Sequence, residues 1–285
     1  MESLARIAAV REVEVVNSGA ALGDDRAVIR LDHVAKTFAT SSGRSVQALS
    51  PVTIALADGD FLAIVGRSGC GKSTALRLMA GLEAATSGTV QIRGNRGAVR
   101  YVFQSYGDSL FPWLNAGSHI EFGLRHANGG RADFDGLGKS GRADRVELFL
   151  AEVGLSGKAH LYPSELSGGM QQRLAIARAL ASGPEVLLLD EPFSAVDALS
   201  RAQMQDLVLR IWQERGISVV FVTHDIDEAL YLADRVIVMG ENGSGIQKDV
   251  SVPLPRPRDQ VATRELPQFL QLRREILSLV LGGVQ

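Results

Sequence analysis

Short runs of consecutive apolar residues alternate with amphipathic segments along the chain, and this alternation predicts an α/β fold. The apolar runs cover 60–66, 98–103, 185–189, 218–222 and 235–239. Because strands that are apolar at every position are buried on both faces, they are typical of a parallel sheet covered by helices. Helical segments such as 72–80 lie between these runs, which is the order expected for an α/β fold with a parallel sheet.

The pattern changes between residues 105 and 181, where helical periodicity replaces the apolar runs. The clearest helices predicted in this region are 142–153 and 168–181. The stretch 126–142 is rich in Gly, Asp and basic residues, and it predicts an exposed loop. We therefore expect a helical subdomain that is inserted into the sheet domain.

This reading divides the chain into four parts, two of which are tails. The expected parts are an N-terminal tail, 1–26; a discontinuous sheet core, 27–104 and 182–245; a helical subdomain, 105–181; and a C-terminal tail with a helix, 246–285. The apolar positions that predict the helix of the C-terminal tail are Leu266, Phe269, Leu270, Ile276 and Leu277. A further helix, which contains Met204 and Trp212, is expected to stop at Gly216.

The amino-acid composition excludes several classes of protein but does not point to a binding or catalytic site. The 285 residues contain 30 Lys and Arg against 32 Asp and Glu, and this near balance argues against a general nucleic-acid binder. The single cysteine, Cys70, excludes an intramolecular disulfide. No apolar run approaches the roughly 18 residues of a spanning helix, and the first residues do not have the pattern of a signal peptide. We therefore expect a cytosolic chain that reaches a membrane only by docking onto another protein.

The segment from Gly66 to Ser73 has the spacing G-x-x-x-x-G-K-S between a predicted strand and a predicted helix. A phosphate-binding loop requires this context, because glycines let backbone N–H groups face phosphate oxygens and the helix N-terminus adds positive potential. Lys72 is expected to reach the β- and γ-phosphates, and Ser73 to offer its hydroxyl to Mg²⁺. The residues assigned to nucleotide binding are Gly66, Ser68, Gly69, Cys70, Gly71, Lys72, Ser73 and Thr74.

Polar residues follow the last apolar residue of four predicted strands: Gly66, Gln104, Asp190 with Glu191, and His224. Because ligands of open α/β sheets bind outside the carboxyl ends of the strands, we expect these residues to form one site. Asp190 suits Mg²⁺. Glu191 suits a general base that polarises a water for attack on the γ-phosphate, an effect worth about 10²–10⁴-fold in rate. An acid pair that caps a turn at Pro192 is the alternative.

A second Gly-containing helix start lies at Leu166–Arg173, which reads Leu-Ser-Gly-Gly-Met-Gln-Gln-Arg. Ser167 is a good N-cap, and the glycines expose N–H groups to an anion. Together with the phosphate loop and the Leu-Leu-Leu-Asp-Glu-Pro stretch at 187–192, this segment resembles the ATP-binding-cassette (ABC) ATPases. The resemblance covers about 28–240. It implies a RecA-like P-loop NTPase core with an inserted helical subdomain, which hydrolyses ATP with Mg²⁺.

The resemblance also implies roles for residues outside these motifs. Gln104 is similar to the glutamine-loop residue that links Mg²⁺ and the water to the helical subdomain, Asp197 to the D-loop aspartate, and His224 to the switch histidine. Phe38 has the place of the aromatic that stacks on adenine, and a core phenylalanine is the alternative. Cassettes of this family pair head to tail, so a dimer is implied. The residues expected to contact the partner's nucleotide are Ser167, Gly168, Gly169 and Gln171.

A narrower resemblance rests on Leu-Phe-Pro-Trp-Leu at 110–114 and Pro-Arg-Pro-Arg-Asp at 255–259. Both are similar to cassettes of the nitrate, sulfonate and taurine importers. The resemblance implies a peripheral ATPase on the cytoplasmic face of the inner membrane, a separate permease, an extracytoplasmic substrate-binding protein and no nucleic acid. Phe111 and Trp113 are then expected to contact the permease. The alternative is that they fill the core of the helical subdomain.

Three other functions remain open at this point. A non-transport ABC ATPase acting on a soluble or nucleic-acid assembly usually adds coiled coils, zinc modules or a second cassette, which this sequence does not show. A phosphate-loop kinase of a small metabolite leaves the segment 166–171 unexplained. A nucleotide-sensing adaptor leaves Glu191 unexplained.

Overall fold

The computed structural model describes residues 14–16, 26–39, 44–93, 98–104, 109–127, 134–194 and 196–282. They form two compact units, of which the first takes the described residues before 97 and from 220 onward, and the second takes those between. The predicted helical subdomain, 105–181, lies within the second unit. Its folding as a separate subdomain stays a prediction. Most of the predicted tail, 1–26, lies outside the described residues.

Strands and α-helices alternate through much of the described chain. The strands are β1 (Glu14–Val16), β2 (Ala27–Ala39), β3 (Ser45–Ala57), β4 (Phe61–Val65), β5 (Ser87–Arg93), β6 (Val99–Val102), β7 (Val186–Asp190), β8 (Ser218–Val222), β9 (Arg235–Met239) and β10 (Ile246–Ser251). The α-helices are α1 (Lys72–Met79), α2 (Ala116–Arg125), α3 (Lys139–Glu152), α4 (Gly168–Ala181), α5 (Ala198–Arg215), α6 (Ile226–Leu232), α7 (Ala262–Glu265) and α8 (Pro267–Val280). The bounds of β8, β9 and α4 are those predicted from the sequence, and α5 ends before Gly216 as expected.

The first unit contains a largely antiparallel sheet with the strand order β1-β5-β2-β3. β2 and β3 are 13 residues long each and pair antiparallel, with Leu31 opposite Ile54. Both of these side chains are buried. The sequence does not predict this sheet, because several register shifts interrupt the alternation of apolar and polar positions along the pair.

A second sheet in the first unit supplies the strands that lead to candidate site residues. Its order is β10-β9-β4-β8, and the last three residues of β8 belong to this unit. β4 lies parallel to β9, with Ile64 opposite Ile237. Every residue of β4 and β8 is buried, as predicted for strands covered on both faces. In the chain, β4 leads into the phosphate loop and α1, and β8 leads into His224 and α6.

The second unit combines a parallel strand pair with the helices α2 to α5. β6 lies parallel to β7, with Tyr101 opposite Leu188, and all five residues of β7 are buried. Helix α4 packs against α2 and α3. Because Asp190 is the last residue of β7, the buried strand ends directly at the predicted carboxylates.

The prediction of an exposed loop over 126–142 is wrong at Phe134, which is buried, and from Lys139, where a helix begins. Residues 135–140 are exposed as predicted, and 128–133 lie outside the described part. Phe134 is only 3% exposed, and the guanidinium of Arg125 lies 5.8 Å from its ring centroid. Helix α3 begins at Lys139, three residues before the predicted start at Arg142. Burial of an aromatic ring therefore outweighs the polar composition around it.

The C-terminal segment, defined here as residues 252–280, packs against the first unit. Its helices α7 and α8 contact α6, and α8 also contacts β9. Phe269 and Ile276 are buried, whereas Leu270 and Leu277 are 37% and 42% exposed, so α8 is amphipathic as predicted. Among the helices of the described residues, none combines the length and the apolar character needed to cross a membrane.

Candidate functional site

The phosphate loop of the first unit curves between β4 and α1. Gly71 is the N-cap of α1 and has φ 102°, a conformation that L side chains rarely adopt. A Cβ atom on Gly71 would lie 2.6 Å from the carbonyl oxygen of Ala48, so the backbone there needs a residue without a side chain. Ser68 and Gly69 are exposed at the tip of the loop, and Cys70 is buried beneath it.

Lys72 points back over the loop from the first residue of α1. Its side chain is buried, and Nζ donates to the carbonyl oxygens of Gly66 at 2.8 Å and Arg67 at 3.1 Å. Ser73 and Thr74 follow in the first turn and are half-buried. That turn carries no acidic side chain, so the positive potential of the helix N-terminus is not offset locally. The loop therefore presents an ammonium group and a helix terminus to one anion.

His224 follows β8 in the same unit and is exposed. The N–H of the preceding residue, Thr223, donates to the carbonyl oxygen of Ile64 at 3.2 Å. The turn that carries His224 is therefore bonded to β4, the strand that leads into the phosphate loop. The structure thus brings together two of the strand ends that the sequence singled out.

Phe38 lies near the end of β2, and the residue is 37% exposed. Lys36 Nζ lies 4.7 Å from the ring centroid, a cation–π arrangement, and is also 2.9 Å from a carboxylate oxygen of Glu83. The ring does not fill a core, which was the alternative for this residue. An exposed ring at this position is available for stacking, and its role toward adenine stays a prediction.

The second unit brings Gln104 and Glu191 into contact. Gln104 Nε2 donates to Glu191 Oε2 at 3.2 Å. Glu191 has φ 43°, in the left-handed region that few residues other than glycine occupy. Such strained positions cost of order 1–3 kcal/mol and cluster at active sites. The geometry therefore favours a functional role for Glu191 over that of a turn-capping acid.

Asp190 is held by a residue that the sequence did not single out. Its carboxylate is 3% exposed, and Oδ2 accepts a hydrogen bond of 2.6 Å from the hydroxyl of Tyr101. Tyr101 lies on β6, the parallel neighbour of β7. The available sequence signal is the tyrosine itself, since the hydroxyl of a tyrosine on a strand that enters the core usually finds a hydrogen-bond partner.

The segment 166–173, here called the signature segment, caps α4 in the second unit. Ser167 Oγ accepts from the N–H of Met170 at 3.4 Å, and the first turn contains no acidic residue. Gln171 Nε2 donates to the carbonyl oxygens of two residues that precede the helix, Pro163 at 2.8 Å and Leu166 at 3.1 Å. The Gln171 amide therefore fixes the backbone of the residues that lead into α4.

The start of α4 lies beside the turn that begins α5. A Cβ atom on Gly169 would lie 3.9 Å from Val196 and 4.0 Å from Ser200. Asp197 caps α5 by accepting from the N–H of Ser200 at 3.0 Å. Hydrogen bonds with the side chain of Ser200 and then with its backbone N–H lower the pKa of the Asp197 carboxyl. Gly168 and Gly169 are both half-exposed. The structure thus brings the signature glycines and the D-loop aspartate to one surface of the second unit.

An aromatic surface on the second unit, here called the exposed aromatic surface, is formed by the exposed Trp113 and Phe122 and by Phe111, which is half-buried. The rings of Trp113 and Phe122 are 5.5 and 5.3 Å from that of Phe111. Trp113 is 71% exposed and Phe122 is 39% exposed, so these rings do not fill the core of the helical region. Arg178, in the last turn of α4, donates to the carbonyl oxygen of Ser109 at 2.6 Å and lies 5.7 Å from the Phe111 ring.

Known proteins are similar to this chain over most of its length. The profile of the ABC transporter family matches residues 49–194, just over half of the chain. The nitrate import ATP-binding protein NrtD of Synechococcus elongatus is 42% identical over 258 residues, which cover 88% of this chain and 91% of that protein. The chain belongs to the ABC transporter family. The bicarbonate transport ATP-binding protein CmpC of the same species is 40% identical over 87% of this chain and 37% of that protein.

Solved structures of ABC cassettes have the same fold. A dimeric structure of the cassette MJ0796, in a post-hydrolysis state bound to ADP and Pi, matches with a TM-score of 0.70 and 31% identity. The match covers 79% of this chain and 98% of that one. The predictions of an ABC-type P-loop fold and of an ATP-hydrolysing cassette are therefore confirmed. The roles of individual residues, and the meeting of all four strand ends at one site, stay predictions.

Proposed function

We propose that this chain is the ATP-hydrolysing subunit of an importer that carries a small anion across a membrane through a separate permease. The names of two relatives support a small anion as the transported substrate, because NrtD is a nitrate import protein and CmpC is a bicarbonate transport protein. The proposal that this chain hydrolyses ATP through Glu191 rests on two observations. Gln104 donates a hydrogen bond to the Glu191 carboxylate, and the backbone of Glu191 is strained.

ATP would be bound first through its phosphates. The N–H groups of the loop 66–71 and of the first turn of α1 would face the phosphate oxygens. Lys72 would exchange its bonds to the loop carbonyls for bonds to the β- and γ-phosphates. The net cost of that exchange is small, because one set of hydrogen bonds replaces another. Phe38 would stack on the adenine, a contact worth about 1–3 kcal/mol by analogy with base–aromatic stacking.

The oxygen donors of this chain suit Mg²⁺. The hydroxyl of Ser73, the carboxylate of Asp190 and the amide oxygen of Gln104 are the hard ligands that Mg²⁺ takes, alongside the phosphates of the substrate. When bound, Mg²⁺ neutralises part of the charge on the phosphate oxygens. Tyr101 holds one carboxylate oxygen of Asp190, and so restricts the orientation in which the other is offered.

Glu191 would act on the water that attacks the γ-phosphate. Its carboxylate accepts a proton as the water oxygen bonds to the γ-phosphorus. The bond from that phosphorus to the bridging oxygen breaks, and ADP leaves with that electron pair. Gln104 would orient the carboxylate through their hydrogen bond. His224 would bind the γ-phosphate and the attacking water. Each role predicts a loss of turnover larger than the loss of ATP affinity.

A second copy of this chain is the partner proposed at the nucleotide. The related cassette MJ0796 is dimeric in its solved structures. In this chain the helix terminus at Ser167, Gly168 and Gly169 has no acidic residue in its first turn. It therefore keeps a positive potential that suits the γ-phosphate of a nucleotide bound by the partner.

The permease is proposed to dock on the exposed aromatic surface. Exposed aromatic residues are enriched at protein interfaces, and Trp113 is among the most exposed large side chains of the described chain. Arg178 ties this surface to the last turn of the signature helix α4. A movement of α4 would therefore be transmitted to the permease. The chain would act as a peripheral subunit on the cytoplasmic face, while an extracytoplasmic protein delivers the anion.

Replacing Glu191 with Gln tests the hydrolytic role. The substitution keeps the size of the side chain but removes the proton acceptor, so hydrolysis is expected to fall by about 100-fold or more. ATP binding is expected to remain, with a nucleotide-bound dimer accumulating. Glu185→Gln, at an exposed position just before β7, is the matched control and is expected to keep the parent rate. Hydrolysis by Glu191→Gln at the parent rate would refute the role.

Capture from native membranes tests the transport role. Tagged chain is purified from detergent-solubilised membranes, and a multi-spanning protein recovered at equal stoichiometry supports an importer. Trp113→Ala is expected to reduce that recovery. Leu148→Ala, which removes another exposed apolar side chain from the second unit, is expected to leave it unchanged. Recovery from the soluble fraction without a membrane partner would instead favour a non-transport ABC ATPase.

A further inference from the structure

The Pro-Arg-Pro-Arg-Asp stretch at 255–259 has no part in the ATP chemistry proposed above, yet both of its arginines donate several hydrogen bonds to other parts of the first unit. The side chain of Arg258 is 0% exposed and that of Arg256 is 20% exposed. Both are directed at α6, the seven-residue helix that follows His224 closely in the chain. A helix of this length is not stable alone, so its position depends on the groups that hold its ends.

The first end of α6 is held by the residues on either side of His224. Thr223 Oγ1 donates to Glu228 Oε2 at 2.7 Å in a buried hydrogen bond. Asp225 Oδ1 accepts from the N–H groups of Asp227 and Glu228 at 2.8 and 3.2 Å. His224 is exposed between these two anchors. The placement of its backbone is therefore set by the placement of α6.

The second end of α6 is held by the arginines. Arg258 Nη1 donates to three carbonyl oxygens, those of Leu230 at 3.1 Å, Tyr231 at 2.9 Å and Ala233 at 2.8 Å. Arg256 Nη2 donates to the carbonyl oxygen of Leu232 at 2.9 Å. A helix leaves its last carbonyls without intrahelical donors, and a positive charge there also interacts favourably with the helix dipole.

Arg258 remains charged in this position. Burial, followed by the charge of Arg256, lowers its pKa from 12.5 to about 10, and Asp234 and Tyr231 oppose that shift. Asp234 Oδ1 accepts from Arg258 at 3.1 Å and from Arg256 at 2.7 Å. At neutral pH the guanidinium therefore keeps the charge that serves the helix terminus.

The C-terminal segment also reaches the first turn of α6. Arg273 Nε, on α8, lies 2.8 Å from Asp227 Oδ1. Phe269 and Ile276 are buried and anchor α8 in the first unit. The segment thus contacts α6 at both ends, and one of these contacts is within three residues of His224.

We propose that the C-terminal segment, mainly through Arg258, is a positioning element that fixes the place of His224. The proposal rests on the proposed function, because it requires His224 to act on the γ-phosphate and the attacking water. Arg258 touches neither and is a positioning residue. It follows that any displacement of the segment lowers the rate of hydrolysis without competing with ATP.

Steady-state ATP hydrolysis by the purified full-length chain tests the proposal. Arg258→Ala is expected to lower kcat by about tenfold or more, with KM for ATP changed by less than about twofold. Arg258→Lys is expected to be intermediate, because an ammonium keeps the charge but not the planar fork of donors. Lys248→Ala is the control, since it breaks the 2.6 Å bond from β10 to Glu275 of α8 and leaves α6 untouched. It is expected to keep the parent kcat.

A double-mutant cycle distinguishes positioning from general structural damage. In a His224→Ala background, Arg258→Ala is expected to change kcat by less than about twofold, because the group that it positions is gone. An equal loss in both backgrounds would overturn the proposal. If His224→Ala alone leaves kcat unchanged, the proposed role of His224 fails and this inference fails with it. If His224→Ala lowers kcat and Arg258→Ala does not, only this inference fails.

Arg273→Ala keeps the proposal testable if Arg258→Ala does not fold. The ion pair with Asp227 is partly exposed, so a smaller loss of about two- to fivefold in kcat is expected. That loss is also expected to disappear in the His224→Ala background. An unchanged kcat for Arg273→Ala, or a loss that persists without His224, would overturn the proposal.

Discussion

His119 is a buried histidine whose surroundings predict a dependence of stability on pH. Its side chain lies on α2 at 0% exposure, and its ring is stacked on that of Phe111 with centroids 5.8 Å apart. Nε2 lies 3.2 Å from the carbonyl oxygen of Phe111, and among the described residues Nδ1 has no hydrogen-bond partner. The neutral tautomer that carries its proton on Nε2 satisfies the contact. A second proton would place a buried, unpaired N–H on Nδ1.

Burial, followed by the nearby guanidinium of Arg178, lowers the pKa of His119 from 6.5 to about 4. Between these values the unfolded chain binds the proton and the folded chain does not. The contribution to stability is therefore complete above about pH 6.5 and is lost as the pH falls toward 4. With these two pKa values, the loss between pH 7 and pH 5 is about 2 kcal/mol. That corresponds to roughly 4–8 °C in Tm by the scaling for domains of about 150–250 residues.

His119→Gln removes this titration and keeps a side-chain N–H for the carbonyl of Phe111. The unfolding of both proteins is measured by denaturant titration at several values between pH 7 and pH 5. The parent is expected to lose about 2 kcal/mol more than the variant over this range, whatever the stability of the variant at pH 7. His160→Gln, at an exposed histidine of the same unit, is the control and should follow the parent. If His119→Gln and the parent lose stability in parallel, the reasoning is wrong.

Two further substitutions test the geometry of each unit. Gly71→Ala would place Cβ 2.6 Å from a backbone carbonyl oxygen, so ATP affinity, measured by a binding titration, is expected to fall by about tenfold or more. Gly59 is the control, because it has φ 74° but open space around it. Gly59→Ala is expected to keep the parent affinity in the same titration. Tyr101→Phe removes the 2.6 Å hydrogen bond to Asp190, and the Mg²⁺ concentration for half-maximal hydrolysis is expected to rise about tenfold or more. Tyr162→Phe, at an exposed tyrosine, is the matched control, and an unchanged Mg²⁺ requirement for Tyr101→Phe would contradict the role of that bond.

The elements with predictable bounds are those in which one local signal dominates. β8, at 218–222, and β9, at 235–239, follow runs of apolar residues that are buried on both faces. Helix α4 starts directly after the Ser167 cap, and its bounds at 168–181 agree with the prediction. In the phosphate loop and in the signature segment, likewise, a fixed spacing of residues and the start of a helix lie within a few positions of one another. Contacts of this kind are local, so the sequence alone contains the information needed to predict them.

The features that sequence reasoning missed depend on residues far apart in the chain. Tyr101 and Asp190 are 89 positions apart, and Arg258 and Leu230 are 28 apart. No periodicity links such pairs, because their contact is created by the pairing of strands and the packing of a distant segment. The position of Phe134 is a similar case, since its burial depends on neighbouring helices and contradicts the polar composition around it.

The candidate catalytic side chains are more exposed than the residues that position them. Because of this difference, experiments that measure both activity and stability can distinguish the two roles. His224 is exposed and Glu191 half-exposed, so replacing either leaves little buried surface unsatisfied and should lower kcat with a small change in stability. Arg258 is buried and donates to backbone carbonyls, and Tyr101 donates to a buried carboxylate. Removing either donor leaves a buried acceptor without its partner, which costs about 1–3 kcal/mol. Variants of the holding residues should therefore lose activity and stability together, whereas variants of His224 and Glu191 should lose activity alone.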